Sequence, residues 1–296
     1  MNLFKSAIAY SELIKLGHTL FALPFALSAL CLAYINGYSI APARLLWIVA
    51  AFAAARSTAM AAARSTAMGF NRFADADIDI LNPRTKNRPS VTGKISLREV
   101  KIFTAVSAAI FVFSAFMIND ICFWLSFPAL FVLTGYSYAK RFTAAAHYIL
   151  GVALAMAPIG AWIAATDGFS PRILCLGGVL FFHISGFDLV YSLQDREFDI
   201  AHKLFSVPSR FGRRTTLLLA AFSFASAAAL LFITGILFEL NAAFYACAAT
   251  TAMLYAGGYL TIERCGMRMV NLVFFYENVA ISALILLGTA ANIFGR

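Results

Sequence analysis

Residues 173–199 read ILCLGGVLFFHISGFDLVYSLQDREFD, and the fold turns on this stretch. No Asp, Glu, Lys or Arg occurs from Ile173 to Phe187, and the apolar character continues through Leu193. About 20 mostly apolar residues are what an α-helix needs to cross a bilayer. The run ends on Asp188, Tyr191, Asp195 and Asp199. Tyr191, Asp195 and Asp199 recur at i, i+4 and i+8, so on a helix they share one face with a drift of about 40° per step. An apolar span thus carries acidic groups to its end.

Working outward, the same pattern occurs earlier. Residues 71–79 read NRFADADID, and Asn71, Asp75 and Asp79 again stand at i, i+4 and i+8 at the end of an apolar run. The whole chain agrees with a membrane setting. Of its 296 residues 61% are hydrophobic and 12% charged, against about 45–50% and 25% in soluble domains. That excess excludes a water-exposed surface, and the class expected is an all-α integral membrane protein. Five cysteines, Cys31, Cys122, Cys175, Cys247 and Cys265, lie in apolar stretches without metal-ligand spacing and read as small buried hydrophobes. Near the N-terminus Lys5, Glu12 and Lys15 occur without a cleavage site after a short apolar core, so the first apolar run is expected to stay as a helix.

Nine spans are expected, at about 18–36, 45–70, 101–118, 121–138, 148–165, 173–193, 216–237, 241–262 and 272–293. The third and fourth meet at Asn119-Asp120 and require a tight hairpin, while residues 1–15 suit a short interfacial helix. With the N-terminus in the cytoplasm, 18 Lys and Arg fall on the cytoplasmic side and three (Arg44, Arg172, Arg296) opposite, with Arg56 and Arg64 inside the second span. The net charge of +9 is therefore a positive-inside signature rather than a nucleic-acid footprint. The two largest cytoplasmic loops, about 72–100 and 194–215, follow the second and sixth spans. One membrane-embedded domain is expected, with related halves at about 1–145 and 146–262 plus a ninth helix. AAARSTAM occurs twice in tandem, at Ala53–Met60 and Ala61–Met68. It is either a genuine insertion or an artefact of the gene, and it would add about 12 Å and roughly 80° of rotation to that helix.

The chemistry expected of the two acidic sets is that of a hard cation. Mg²⁺ prefers oxygen ligands and is commonly held by one or two carboxylates plus substrate phosphates. Asn71, Asp75, Asp79, Asp195 and Asp199 are the candidate metal ligands, and the four aspartates with Asp188 the candidate catalytic set. Arg72, Arg88, Lys140 and Arg141 lie in or beside the same loops and suit a diphosphate. Arg64 stands seven residues before Asn71 and Asp188 seven before Asp195, one layer deeper in each helix. Intramembrane charges are costly and usually functional. Arg64, Asp188 and Tyr191 are therefore candidates to hold a polar aromatic acceptor, with an Arg64–Asp188 salt bridge as the plainer alternative. Glu277 and Asn278 read as packing or as a site, and His183 as packing.

At these motifs the chain resembles the UbiA superfamily of intramembrane prenyltransferases. Its NxxxDxxxD and DxxYxxxDxxxD signatures match Asn71/Asp75/Asp79 and Asp188/Tyr191/Asp195/Asp199. The segments 82–93 (NPRTKNRPSVTG), 136–141 (YSYAKR) and 206–212 (SVPSRFG) also match. The resemblance implies nine transmembrane helices around a central cavity, capped by the two cytoplasmic loops, in the inner membrane. It implies Mg²⁺ held through a prenyl diphosphate between the two motifs, diphosphate contacts from Arg88 and Lys140, and an acceptor contact from Arg64. Within the superfamily the chain is most similar to 4-hydroxybenzoate polyprenyltransferase-like proteins of ubiquinone and menaquinone biosynthesis. The implied acceptor is then 4-hydroxybenzoate or 1,4-dihydroxy-6-naphthoate. Another acceptor (haem, chlorophyll or lipid) and a secondary transporter stand as alternatives. Transporter sites sit near the bilayer midplane, whereas these acids cluster at span ends.

Overall fold

A computed structural model of the chain describes residues 22–38 and 58–293, and among them every regular element is helical. Eleven α-helices follow in order: α1 Leu23–Ile35, α2 Thr58–Ala74, α3 Ala76–Leu81, α4 Leu97–Ile118, α5 Asp120–Gly135, α6 Ala146–Thr166, α7 Ile173–Ser192, α8 Arg196–Ala201, α9 Val207–Leu237, α10 Ala242–Cys265 and α11 Val270–Ala290. Six stretches among the described residues are long and apolar enough to cross a membrane. They are α4, α5 with its following turn, α6, α7 through α8, α9 and α11. The apolar α1 is shorter as described, and α10 is long but less apolar. Expected residues 1–15 and most of the first AAARSTAM copy lie outside the described residues.

The described residues form two compact units. The first holds α2 to α5. Here α4 packs on α2 and α5, and α5 also on α2. Ser96 starts α4 with a capping box, its Oγ accepting from Glu99 N–H while the Glu99 carboxylate accepts from Ser96 N–H. The predicted hairpin is present. Asn119 alone separates α4 from α5, in extended geometry (φ −168°, ψ 167°), and its side chain caps α5 by accepting from Cys122 N–H at 2.7 Å. Phe113, Phe116, Trp124, Phe127 and Phe131 are exposed along this hairpin, which suits a lipid-facing surface.

The second unit holds α1 and α6 to α11. Within it α7 is central, packed on both α6 and α9, while α1 lies on α6 and α11, and α10 on α9 and α11. The α6–α7 contact is close because Gly151 has no side chain. A Cβ there would run into Ser185 Oγ and come within 2.7 Å of the Phe181 carbonyl. Small residues allow such approach between membrane helices. The seventh expected span, 216–237, begins earlier than its apolar run: α9 starts at Val207, capped by Ser206, and bends at Gly212 (φ 76°, ψ 177°). That backbone conformation is essentially confined to glycine. His183, expected as packing, also bonds across helices, its Nδ1 lying 2.8 Å from Tyr255 Oη of α10.

Candidate functional site

In the first unit α2 carries Asn71 and Arg72 to its end. The helix is not continuous through the motif. Asp75 leaves helical geometry (φ −98°, ψ 9°) and α3 begins immediately after it. The i→i−4 bonds nevertheless survive the break: Asp75 N–H donates to Asn71 O at 2.9 Å and Asp79 N–H to Asp75 O at 2.7 Å. Asn71, Asp75 and Asp79 therefore keep their common face.

A polar chain joins them. Asn71 Nδ2 donates to Asp75 Oδ2 at 2.8 Å, and Arg72 Nη1 donates to Asn71 Oδ1 at 3.2 Å. Arg88 Nη1 donates to both Asp79 oxygens, at 2.7 and 2.5 Å, and Arg72 stands 3.8 Å from the same carboxylate. The side chains of Asp79 and Arg72 are 6% and 3% exposed, so this is a buried ionic cluster. Burial pushes the Arg72 guanidinium down to about 10, the Arg88 charge acts in the same direction, and Asp79 opposes both. Arg72 therefore remains charged at neutral pH. Arg88 arrives nine residues after Asp79 through an ordered loop. Thr85 Oγ1 donates to Asp79 O at 3.0 Å, Arg88 N–H to Thr85 O, and Ile95 N–H to Pro89 O. Arg88, expected on a diphosphate, is thus found on Asp79.

The second unit repeats the construction. Here α7 ends at Ser192, one 3₁₀ turn covers Leu193–Asp195, and α8 resumes after Asp195 (φ −96°, ψ 2°). The two middle aspartates share nearly the same backbone conformation, in the bridge region where many active-site residues sit. Asp195 and Asp199 are buried, and Asp199 Oδ2 has no hydrogen-bond partner. Lys140 lies within electrostatic reach of Asp199, and its carbonyl accepts from Phe205 N–H at 2.8 Å. Arg141 is exposed and Tyr191 half-buried.

Below the second motif, Asp188 pairs with a residue the sequence reading passed over. His147 Nδ1 lies 2.6 Å from Asp188 Oδ2, with the imidazole fully buried. A lone histidine at the start of an apolar span, 41 residues before its partner, gives no pattern to find. The side chain of Arg64 lies outside the described residues, as does that of Arg56.

Among the described residues no three His, Cys, Asp or Glu side chains form a ready-made metal cage. The donor set still fits Mg²⁺. An orphaned buried carboxylate oxygen at Asp199 is a vacant lone pair, and an ion held largely by substrate phosphates needs few protein ligands.

The UbiA prenyltransferase family model matches residues 22–288. The chain is 33% identical over 187 residues to a 4-hydroxybenzoate octaprenyltransferase of Pseudomonas aeruginosa (strain LESB58), a match covering 62% of each chain. Among solved structures, the apo structure of a UbiA homolog from Aeropyrum pernix K1 superposes with a TM-score of 0.81 at 30% identity, over 93% of this chain and 98% of that one. A UbiA homolog from Archaeoglobus fulgidus bound to GPP and Mg²⁺ shares the fold, with a TM-score of 0.70 at 20% identity, over 97% of this chain and 99% of that one. With its two acidic motifs in place and this likeness along nearly its whole length, the chain belongs to the UbiA prenyltransferase family.

Proposed function

We propose that this protein is a Mg²⁺-dependent polyprenyltransferase joining a polyprenyl chain, delivered as its diphosphate, to an aromatic quinone precursor, 4-hydroxybenzoate or 1,4-dihydroxy-6-naphthoate. It does so as a single domain of nine spans in the inner membrane, with its N-terminus in the cytoplasm. The observation carrying this reading is the paired construction: two carboxylate sets, each broken at its middle aspartate with the same backbone geometry, Asp199 retaining an unsatisfied oxygen. Relatives named for octaprenyl transfer and a homolog holding GPP and Mg²⁺ support it.

In this mechanism Asn71, Asp75, Asp79, Asp195 and Asp199 are the residues that would hold Mg²⁺ for the substrate diphosphate. Mg²⁺ would neutralise the charge that grows on the departing diphosphate. Arg88, Lys140, Arg72 and Arg141 add positive charge around the same group. The allylic C–O bond of the prenyl donor breaks, its electron pair leaving with diphosphate. The electron-rich ring attacks the allylic carbon and then loses its proton. Arg64, Asp188 and Tyr191 hold the acceptor, Arg64 suiting its carboxylate and Asp188 its hydroxyl.

The test is transfer by purified protein supplied with Mg²⁺, a long-chain prenyl diphosphate and each acceptor in parallel. Transfer to one acceptor, lost in Asp75→Ala and in Asp195→Ala at unchanged folding, is the result expected. Normal turnover in the folded double variant would overturn the mechanism.

A further inference from the structure

The imidazole of His147 is fully buried between three helices, and both ring nitrogens have partners. Nδ1 faces Asp188 Oδ2 of α7 at 2.6 Å. Nε2 faces the backbone N–H of Val207, the first residue of α9, at 3.4 Å. A backbone N–H can only donate, so Nε2 must present its lone pair. The ring proton therefore sits on Nδ1 and is given to the Asp188 carboxylate. The tautomer follows from the fold, because the α9 N-terminus fixes one side of the ring and α7 receives the other.

Two further contacts fix the ring's position. Ser185 Oγ lies 3.4 Å from the His147 carbonyl, and one turn along α6 Gly151 brings the backbone hard against α7. Asp188, unlike His147, is not sealed in: its side chain is 27% exposed, while Oδ2 is held by the fully buried His147. Asp188 also lies seven residues before Asp195, about two helical turns below the second acidic motif.

We propose that His147 is a positioning residue for the acceptor: clamped by the Val207 amide, it donates Nδ1–H to Asp188 and holds that carboxylate aimed at the hydroxyl of the aromatic acceptor. This rests on the prenyl-transfer reading above and assigns the specificity of its acceptor side to a His–Asp pair. His147 itself exchanges no proton with substrate, because neither nitrogen is available.

Two substitutions separate the roles. His147→Leu removes both hydrogen bonds, whereas His147→Gln keeps an amide donor for Asp188 and a carbonyl for Val207 but cannot titrate. A charge-assisted hydrogen bond is worth about 1.5–3 kcal/mol, or roughly 10–150-fold. The acceptor KM of His147→Leu should rise at least about tenfold, while the KM for prenyl diphosphate stays within about twofold. His147→Gln should return the acceptor KM to within about threefold of wild type. An unchanged acceptor KM in His147→Leu, or a Gln variant as impaired as the Leu variant, overturns the proposal.

A second measurement does not depend on turnover. The chain has four histidines, so ¹⁵N spectra of histidine-labelled protein in nanodiscs can be assigned by difference against His147→Gln. A protonated Nδ1 with a bare Nε2 is expected, and an Nε2–H ring or an imidazolium overturns the clamp. Wild type inactive on every acceptor would sink the functional reading, while the tautomer would still decide the clamp.

Discussion

Replacing Arg88 with leucine leaves the Asp79 carboxylate, 6% exposed, without the cation that touches both its oxygens. Breaking a buried ion pair from one side costs about 3–5 kcal/mol, since the remaining charge stays desolvated. Two features reduce this. Arg72 still stands 3.8 Å away, and Arg88 is itself 19% exposed. A cost near 2 kcal/mol is then expected, about a 30-fold rise in local opening. The effect should concentrate in residues 82–96, whose amide bonds from Arg88 to Thr85, Val91 to Arg88 and Ile95 to Pro89 depend on where Arg88 is anchored. Hydrogen–deuterium exchange of that peptide in detergent or nanodiscs reads it directly. Adding Asp79→Asn should recover at least about half the loss, because a neutral amide needs no counter-cation. If Arg88→Leu changes exchange less than about twofold, the pair does not organise the loop, and Asp79 is held by other contacts.

Asp199→Asn should abolish transfer yet raise Tm of the ligand-free protein by about 2–4 °C, because it removes a buried carboxylate with an unsatisfied oxygen; a lower Tm would argue that the oxygen is satisfied. Gly212→Ala forces a side chain into φ 76°, ψ 177° and should cost about 1–3 kcal/mol, seen as a drop in Tm, whereas Gly135→Ala, with nothing within 4 Å of a Cβ, should be near neutral. Tyr255→Phe removes the bond to His183 and should cost about 1 kcal/mol of stability with transfer unchanged, so a loss of turnover would place this pair in the reaction.

Much of this molecule is legible in its sequence because a bilayer makes hydropathy decisive. The apolar runs locate the helices, and the hairpin at Asn119 follows from two runs that leave no loop residues between them. The i, i+4, i+8 spacing of each acidic set identifies its shared face. The break at Asp75 and again at Asp195 is not legible. Neither site has a proline or glycine beside it, so only the non-helical geometry itself reveals the break. Loop-borne partners escape for another reason. Arg88 reaches Asp79 through a chain of turns, and no periodicity encodes that return. His147 meets Asp188 only because Gly151 lets α6 and α7 approach, a tertiary fact with a one-residue signal.

The one-residue connection at Asn119 has a consequence for membrane insertion. The 22 residues of α4 are about 33 Å long, enough for the turn to lie a bilayer's thickness from the loop that follows the first acidic motif. With no slack between α4 and α5, neither helix can cross and pause alone, and the two must enter the lipid as a paired wedge. The same economy makes Asp120 a vantage point for sidedness. An Asp120→Cys thiol in a chain whose five native cysteines are replaced, probed with an impermeant reagent on intact cells and on inverted vesicles, reports which compartment faces the tip of the hairpin.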